Sequence, residues 1–414
     1  MIRLISVFLV LCSTVSGALA RDLTIATWNL GWHMDIATVQ VWIEECSKTY
    51  FEDPQTNRWK RSDAAGAKEA WDIDVFKIDG WDHRRLPVCN VYFAGGVVRV
   101  TETSYKKRQE QIANLIAKSV PADIIAFQEV SGEQAVKEIL PSLGQDYELC
   151  GLRPPDNYKV QRLVIAWKKT VGKLVSCETE EALHLKDNPE EDQPRPGLSL
   201  AIEIDGVVFR TLTVHLKSSC VSPFESRGNL AGGGDHCPIL QQQIDPLERW
   251  VERETANGAK IVLLGDFNRN FWHELRDQAL VRTDGSPPSD QRPSGTLTRS
   301  ILEEIVDGEP IESTLTVLNE TCPINSIGRL LCTESEIRPL ETAERNLLGS
   351  RDYLGCRNPV GLDHILVGPG VTSREGAFHV SLGNFGGTQG PENDGDDPKL
   401  AVSDHCPMVA RIKF

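Results

Sequence analysis

No Cys-x-x-Cys pair occurs in the 414 residues, which removes the ligand spacing of a structural zinc cluster. Beyond a short N-terminal stretch there is no long apolar run, and none reaches the roughly 18 residues that a membrane span needs. Short repeats and low-complexity tracts are also missing, which argues against a solenoid or a tail-like chain. Basic residues are the scarcer charge: 44 Lys and Arg stand against 59 Asp and Glu, a formal net charge of −15. That balance argues against broad adhesion to nucleic acid or anionic lipid, where each phosphate contact recruits a Lys or Arg. It leaves room for a local basic groove, and a metal bound among the carboxylates offsets part of the repulsion.

What is present begins with Arg3, an apolar stretch from Leu4 to Cys12 and the small-residue sequence Ala18-Leu19-Ala20. This reads as a cleavable secretory signal over residues 1–20, with the mature protein starting at Arg21 and exported to the periplasm or beyond the cell. Ten of the 11 cysteines follow the leader, an even number in a compartment where disulfides persist. Cys46 with Cys89, Cys220 with Cys237, and Cys322 with Cys332 or Cys356 are the expected staples. Cys406, inside an apolar strand pattern, is expected to be a buried free thiol.

Because chemistry-bearing residues run through the whole length, residues 21–414 are expected to form one large domain, a monomer, with insertions at about 34–104 and 281–358. Leu23 to Trp28 alternates like a half-buried strand and delivers Asn29. The first insertion carries Trp42, Trp59, Trp71 and Trp81 among many charges. Tyr105 to Val120 carries Ile112, Leu115, Ile116 and Val120 at helical spacing until Pro121 ends the helix, and Asp123 to Val130 then reads as a strand. Asp205-Gly206 marks a hairpin between Leu198–Ile204 and Val207–Leu216. Ile239 to Glu254 reads as a helix, Lys260 to Leu264 as a buried strand, and Asp363 to Val367 and Pro407 to Ile412 as the last two strands, flanking an acidic loop with Asp394, Asp396 and Asp397. Strands outnumber helices and an antiparallel hairpin is present, which suggests sheet packed on sheet with helices outside.

Six apolar runs end on residues able to hold a metal, move a proton or grip a phosphate: Thr27-Trp28-Asn29, Phe127-Gln128-Glu129-Val130, Val214-His215-Leu216, Gly265-Asp266-Phe267-Asn268, Leu362-Asp363-His364 and Ser403-Asp404-His405. Any one of them alone reads as a turn or a helix or strand end. Together they match the needs of phosphodiester hydrolysis: an activated water, charge stabilisation on the phosphoryl oxygens and help for the leaving oxygen. Glu129, Asn29 and Asp404 are the candidate metal ligands, since a hard divalent cation takes oxygen donors. His405 is the candidate acid or base, with Asp363 as the carboxylate that orients its ring. Asp266 is placed to orient or deprotonate the water, while Asn268 and Lys217 are candidate phosphate contacts. His215 brings a second imidazole that could donate to a phosphoryl oxygen.

In this order, these motifs resemble the endonuclease/exonuclease/phosphatase superfamily, which includes pancreatic-type deoxyribonuclease, abasic-site endonucleases, sphingomyelinases and inositol polyphosphate 5-phosphatases. The resemblance spans Trp28 to His405 outside the two insertions. It implies a four-layer α/β/β/α sandwich with the site at one edge of the paired sheets, and Mg²⁺, or Mn²⁺ or Ca²⁺ in its place, near Asn29, Glu129 and Asp404. It also implies a His405–Asp363 dyad, a water- and phosphate-handling pair in Asp266 and Asn268, and a second histidine in His215. One departure stands out: between Tyr158 and Trp167, where those deoxyribonucleases carry a glutamate partner for the second histidine, this chain has Gln161 and Arg162.

The expected function is a secreted, divalent-metal-dependent endonuclease acting on DNA, or on RNA, with Lys106, Lys107, Arg108, Lys217 and Arg269 as candidate phosphate contacts. The alternative keeps the chemistry and changes the substrate to a phospholipid headgroup or a small phosphoester, motivated by the tryptophans of the first insertion. A third reading is a non-catalytic binding protein on the same sandwich.

Overall fold

The computed structural model describes residues 21–89, 98–140, 146–152, 159–220, 236–269, 271, 300–309, 313–318, 362–383, 392–394 and 397–414. The leader, Cys322, Cys332, Cys356, Asp396 and most of the 281–358 insertion lie outside the described residues. In chain order the strands are β1 (Asp22–His33), β2 (Thr49–Asp53), β3 (Arg58–Arg61), β4 (Lys68–Glu69), β5 (Ile124–Val130), β6 (Tyr147–Gly151), β7 (Arg162–Lys168), β8 (Lys173–Glu180) and β9 (Gly197–Ile204). They continue with β10 (Val207–His215), β11 (Lys260–Asp266), β12 (Thr316–Val317), β13 (Asp363–Val367), β14 (Thr372–His379), β15 (Glu392–Asp394), β16 (Asp397–Lys399) and β17 (Met408–Lys413). The α-helices are α1 (Ile36–Cys46), α2 (Glu102–Ser119), α3 (Glu133–Ile139), α4 (His236–Ala256) and α5 (Ile301–Val306).

Two six-stranded mixed sheets face each other. The first has the order β14-β17-β1-β5-β7-β6 and the second β12-β13-β11-β10-β9-β8. Alternate residues of each strand point to opposite faces, so Ile25, Ile165, Leu200, Phe209, Leu264 and Ile412 fill the space between the sheets. On the outer face of the first sheet, Trp28, Phe127 and Val164 pack against Ile112 and Ile116 of α2 and Val136 and Ile139 of α3. On the outer face of the second, Leu212, Val214 and Leu263 meet Leu240, Leu247 and Trp250 of α4 and Ile301 and Ile305 of α5. The expected α/β/β/α layering is the observed one. Helix α2 starts one turn earlier than the apolar spacing suggests. A capping box caps that first turn, with Ser104 N donating to Thr101 Oγ1 and Thr101 N to Ser104 Oγ.

The first insertion builds its own small core, in which Trp42 and Trp71 meet edge to face and Trp59, Val39 and Val75 surround them. Cys46–Cys89 and Cys220–Cys237 form as expected. Cys150–Cys177 joins β6 to β8, one edge strand of each sheet, a pairing that sequence spacing does not suggest. Cys406 is disulfide-bonded, so the expected free thiol is corrected. The physical reason is local: β17 starts at Met408, and Cys406 lies in the segment before it, outside the strand pattern that suggested a core thiol. Among the described residues no helix is long and apolar enough to cross a membrane.

Candidate active site

Register explains how distant motifs meet. Parallel strands bring their C-terminal ends side by side, and β1 and β5 pair in parallel with Asn29 opposite Gln128, while β10 and β11 pair in parallel with His215 opposite Asp266. Strand β13 runs antiparallel to β11 and starts at Asp363, directly across from Asp266. Behind these ends Gln128 accepts from Thr27 Oγ1 (3.1 Å) and donates to Thr213 Oγ1 (3.1 Å), a buried polar tie between the two sheets.

Strand alternation alone would send Glu129 to the outer face, away from this edge. Instead Glu129 has φ 54° at an irregularity in the β5–β7 ladder, and the chain turn re-aims its side chain. Its Oε1 lies 3.5 Å from His215 Nε2, and its Oε2 accepts from Trp32 N at 3.1 Å. On β1, Gly31 (φ 55°) and Trp32 (φ 62°) make the complementary turn, with Gly31 N donating to Asn29 Oδ1 at 2.9 Å. A Cβ on Gly31 would come within 3.3 Å of Asp404 Oδ1, so the missing side chain is what lets that carboxylate approach. Burial, then the charge of Asp404, pushes the Glu129 carboxyl up to about 7.

Asn29, Glu129 and Asp404 thus surround one turn and offer an amide and two carboxylate oxygens, the hard donor set of Mg²⁺, Mn²⁺ or Ca²⁺. These residues fit a hard divalent cation. Asp266, Asp363 and His405 form a second set, whose ligand atoms lie within 4.8 Å of one another. There, His405 Nδ1 and Asp363 Oδ2 are 2.8 Å apart and already hydrogen-bonded, which suits proton handling better than ligation.

The Ser403-Asp404-His405 segment turns rather than extends, which lets two neighbouring groups serve one site. Ser403 Oγ donates to Asn29 O (2.6 Å) and accepts from His405 N (3.0 Å), while Trp28 Nε1 donates to His405 O (2.9 Å). Burial lowers the affinity of the His405 ring for a proton, but Asp363 and Asp266 raise it more, and the net pKa stands well above the ordinary value. His405 Nε2 faces Asp266 Oδ2 at 3.9 Å, too far for a direct hydrogen bond. Asp266 is buried and pushed up to about 6, chiefly by that burial and against the pull of His405; its Oδ2 accepts from Asn29 Nδ2 at 2.9 Å.

Asn268 lies beyond the end of the strand that carries Asp266. Strand β11 ends at Asp266, Asn268 sits at φ 51°, and its N donates to Asp266 Oδ1 at 2.8 Å, an Asx turn. Its Nδ2 donates to Leu216 O (3.1 Å), leaving the second amide hydrogen for a ligand. His215 lies 3.5 Å from both Glu129 and Asp266 through Nε2, and its Nδ1 has no hydrogen-bond partner among the described residues. Burial, then Arg195, lowers its pKa well below the ordinary value, so the ring is neutral with its proton on Nε2. Lys217 is half-buried next to the same arginine and is lowered to about 8, mainly by burial.

Sequence reasoning missed two site residues. Arg195 donates to His215 O (3.2 Å), Leu216 O (3.0 Å) and Gln161 Oε1 (2.9 Å), so the glutamine at the departing position serves the arginine rather than the histidine. A Pro-flanked arginine directly before a strand was the available signal. His379, at the end of β14, is close enough to Asp363 and His405 for their charges to act on it, and burial lowers it to about 4; nothing in its sequence context marks it.

Among solved structures, the chain is similar to the human Nocturnin catalytic domain with bound sulfate, at 14% identity over 77% of this chain and 88% of that one, with a TM-score of 0.45. An endonuclease/exonuclease/phosphatase family protein from Bacteroides thetaiotaomicron matches at 13% identity over 96% and 99%, with a TM-score of 0.46. D. rerio TDP2 complexed with single strand DNA product matches at 12% identity over 95% and 99%, with a TM-score of 0.42. No curated protein sequence matches the chain. The family model described as Endonuclease/Exonuclease/phosphatase family matches residues 88–405, so most of the converging motifs lie within it and only Asn29 lies upstream. The chain belongs to the endonuclease/exonuclease/phosphatase family, whose members are divalent-metal-dependent hydrolases of phosphoester bonds.

Proposed function

We propose that this hydrolase is a secreted, Mg²⁺-dependent endonuclease that cleaves DNA phosphodiesters. The supporting observation is the meeting of the buried His405–Asp363 pair (2.8 Å) with Asp266 at the edge where Glu129 and His215 also converge. A divalent cation held by Asn29, Glu129 and Asp404 supplies charge neutralisation at the phosphoryl oxygens. Asp266 orients the attacking water, and the Asp266–His405 pair receives its proton as the P–O bond to the leaving oxygen breaks, with Asp363 holding the imidazole in one orientation; the leaving oxyanion takes its proton from solvent. His215, neutral and protonated on Nε2, acts as a hydrogen-bond donor rather than as an acid. Asn268 and Lys217 contribute donors to the phosphate. The signal-like N-terminal stretch and the disulfides support export.

Of the tryptophans that motivated a lipid substrate, Trp42, Trp59 and Trp71 are buried in a core within the insertion, so they are not available as interfacial anchors. The test is conversion of supercoiled plasmid by the purified protein with Mg²⁺ and with excess chelator, alongside phosphomonoesters and choline-headgroup liposomes. Metal-dependent nicking is expected. Turnover confined to a phosphomonoester or a lipid headgroup would overturn the DNA assignment while leaving the hydrolase class intact.

A further inference from the structure

Arg108, on the buried face of α2, is 1% exposed and lies directly behind the three candidate metal ligands. Its Nη2 donates to Leu30 O (2.8 Å), one residue after Asn29, and to Val402 O (2.7 Å). Its Nε donates to Ala401 O (2.8 Å), on the segment that leads to Asp404. Its Nη1 donates to His33 Nδ1 (2.8 Å). A guanidinium can only donate, so His33 carries its proton on Nε2, which then donates to Ala135 O (3.2 Å) in α3. His33 O in turn accepts from Ser131 N (2.8 Å), two residues after Glu129. Tyr105, one helical turn before Arg108, completes the cluster with its hydroxyl 3.2 Å from His33 Nδ1 and accepting from Met34 N at 2.7 Å.

One buried guanidinium therefore touches the β1 arm that carries Asn29 and the 401–402 arm that carries Asp404, and reaches the Glu129 arm through His33. These arms come from distant parts of the sequence, and all three bend out of regular pairing where the oxygen donors stand. Irregular backbone exposes carbonyls that no ladder satisfies, and a planar five-donor fork can hold several at fixed spacing, which a lysine ammonium cannot. Resting on the metal assignment proposed above, we infer that Arg108 is a positioning residue for divalent-cation binding: with His33 it sets the separation of the Asn29, Glu129 and Asp404 arms.

The experiment is Mn²⁺ binding to the full chain by calorimetry, with wild type, Arg108→Lys, Arg108→Met and Ile112→Val, each checked in parallel for the thermal transition of the metal-free protein. Loss of an outer partner of a metal ligand costs 10–100-fold in metal affinity, so both Arg108 variants are expected to bind about 10-fold or more weakly. Arg108→Lys keeps the charge but not the fork, and Ile112→Val, which trims packing on the same helix and removes none of these hydrogen bonds, is expected to stay close to wild type. Arg108→Lys with wild-type Mn²⁺ affinity overturns the inference, as does a loss in Ile112→Val as large as in Arg108→Lys, which would mark a general packing defect. If Arg108→Met does not fold, Arg108→Lys decides. A wild type that binds no Mn²⁺ overturns the metal assignment itself, a result distinguishable from failure of the positioning role.

Discussion

His405 Nδ1 and Asp363 Oδ2 form a buried 2.8 Å hydrogen bond between a turn preceding β17 and the first residue of β13, strands that belong to different sheets. The contact directs the free Nε2 of His405 toward Asp266 and stabilises charge on the ring. Asp363→Asn keeps the shape but replaces the accepting carboxylate with a neutral amide. The expected result is a fall in kcat of about 10²–10⁴-fold on plasmid with KM and fold little changed, the scale of a lost proton-transfer group. Initial rates and circular dichroism on the same preparation check it, and a fall below 10-fold would contradict the dyad.

Glu129 supplies a carboxylate at the β1–β5 edge, where burial and Asp404 make an isolated negative charge costly. A cation there stabilises the folded state by mass action, by about 2.7 kcal/mol at 100 times its dissociation constant. Wild type is expected to gain thermal stability on Mg²⁺ addition, and Glu129→Gln to lose most of that gain together with turnover. Equal Mg²⁺-induced shifts in both proteins would remove Glu129 from the ligand set.

Cys150–Cys177 closes a 27-residue separation and fastens an edge strand of one sheet to an edge strand of the other. On the chain-entropy model a loop of that size is worth about 3.5 kcal/mol. The double Cys→Ala variant is expected to unfold at markedly lower denaturant, read by tryptophan fluorescence. An unchanged midpoint would mean that sheet packing alone holds the two edges.

His364 stacks on Phe271 with centroids 4.1 Å apart and bonds through Nε2 to Arg269 O (2.9 Å), and burial lowers its pKa from 6.5 to about 4. The unfolded chain therefore binds this proton first as pH falls. The stabilising difference is complete above pH 6.5 and is lost progressively between 6.5 and about 4, at about 1.4 kcal/mol per pH unit. Urea unfolding at several pH values is expected to show the stability of wild type relative to His364→Asn shrinking across that interval. A gap constant with pH would show that the ring titrates alike folded and unfolded.

Strand signals were legible because half-buried and fully buried strands leave strong patterns, and β1, β5, the β9–β10 hairpin, β11 and β13 lie close to where apolar alternation and turn residues put them. The six strand-end motifs were legible for the same reason: each polar residue interrupts an apolar run. Arg108 and Arg269 were marked only as phosphate contacts, a reading their burial overturns; Arg195 was marked only by its flanking prolines, and His379 and the Cys150–Cys177 bridge by nothing. Their meaning depends on which segments lie beside them in space, and pairings across tens to hundreds of residues carry no local period.

By itself the sequence determined the class of chemistry, because carboxylates, amides and imidazoles ending buried strands are tolerable only when they are paired or ligating. Only tertiary structure decided their use. The parallel β1–β5 and β10–β11 registers brought the strand ends to one edge, and the left-handed turn at Glu129 reversed the facing that strand alternation would assign. Burial, and then Arg195, leaves His215 neutral, and among the described residues no carboxylate meets its Nδ1. Those outcomes depend on backbone conformation and long-range hydrogen bonding, which the order of residues along a strand does not display.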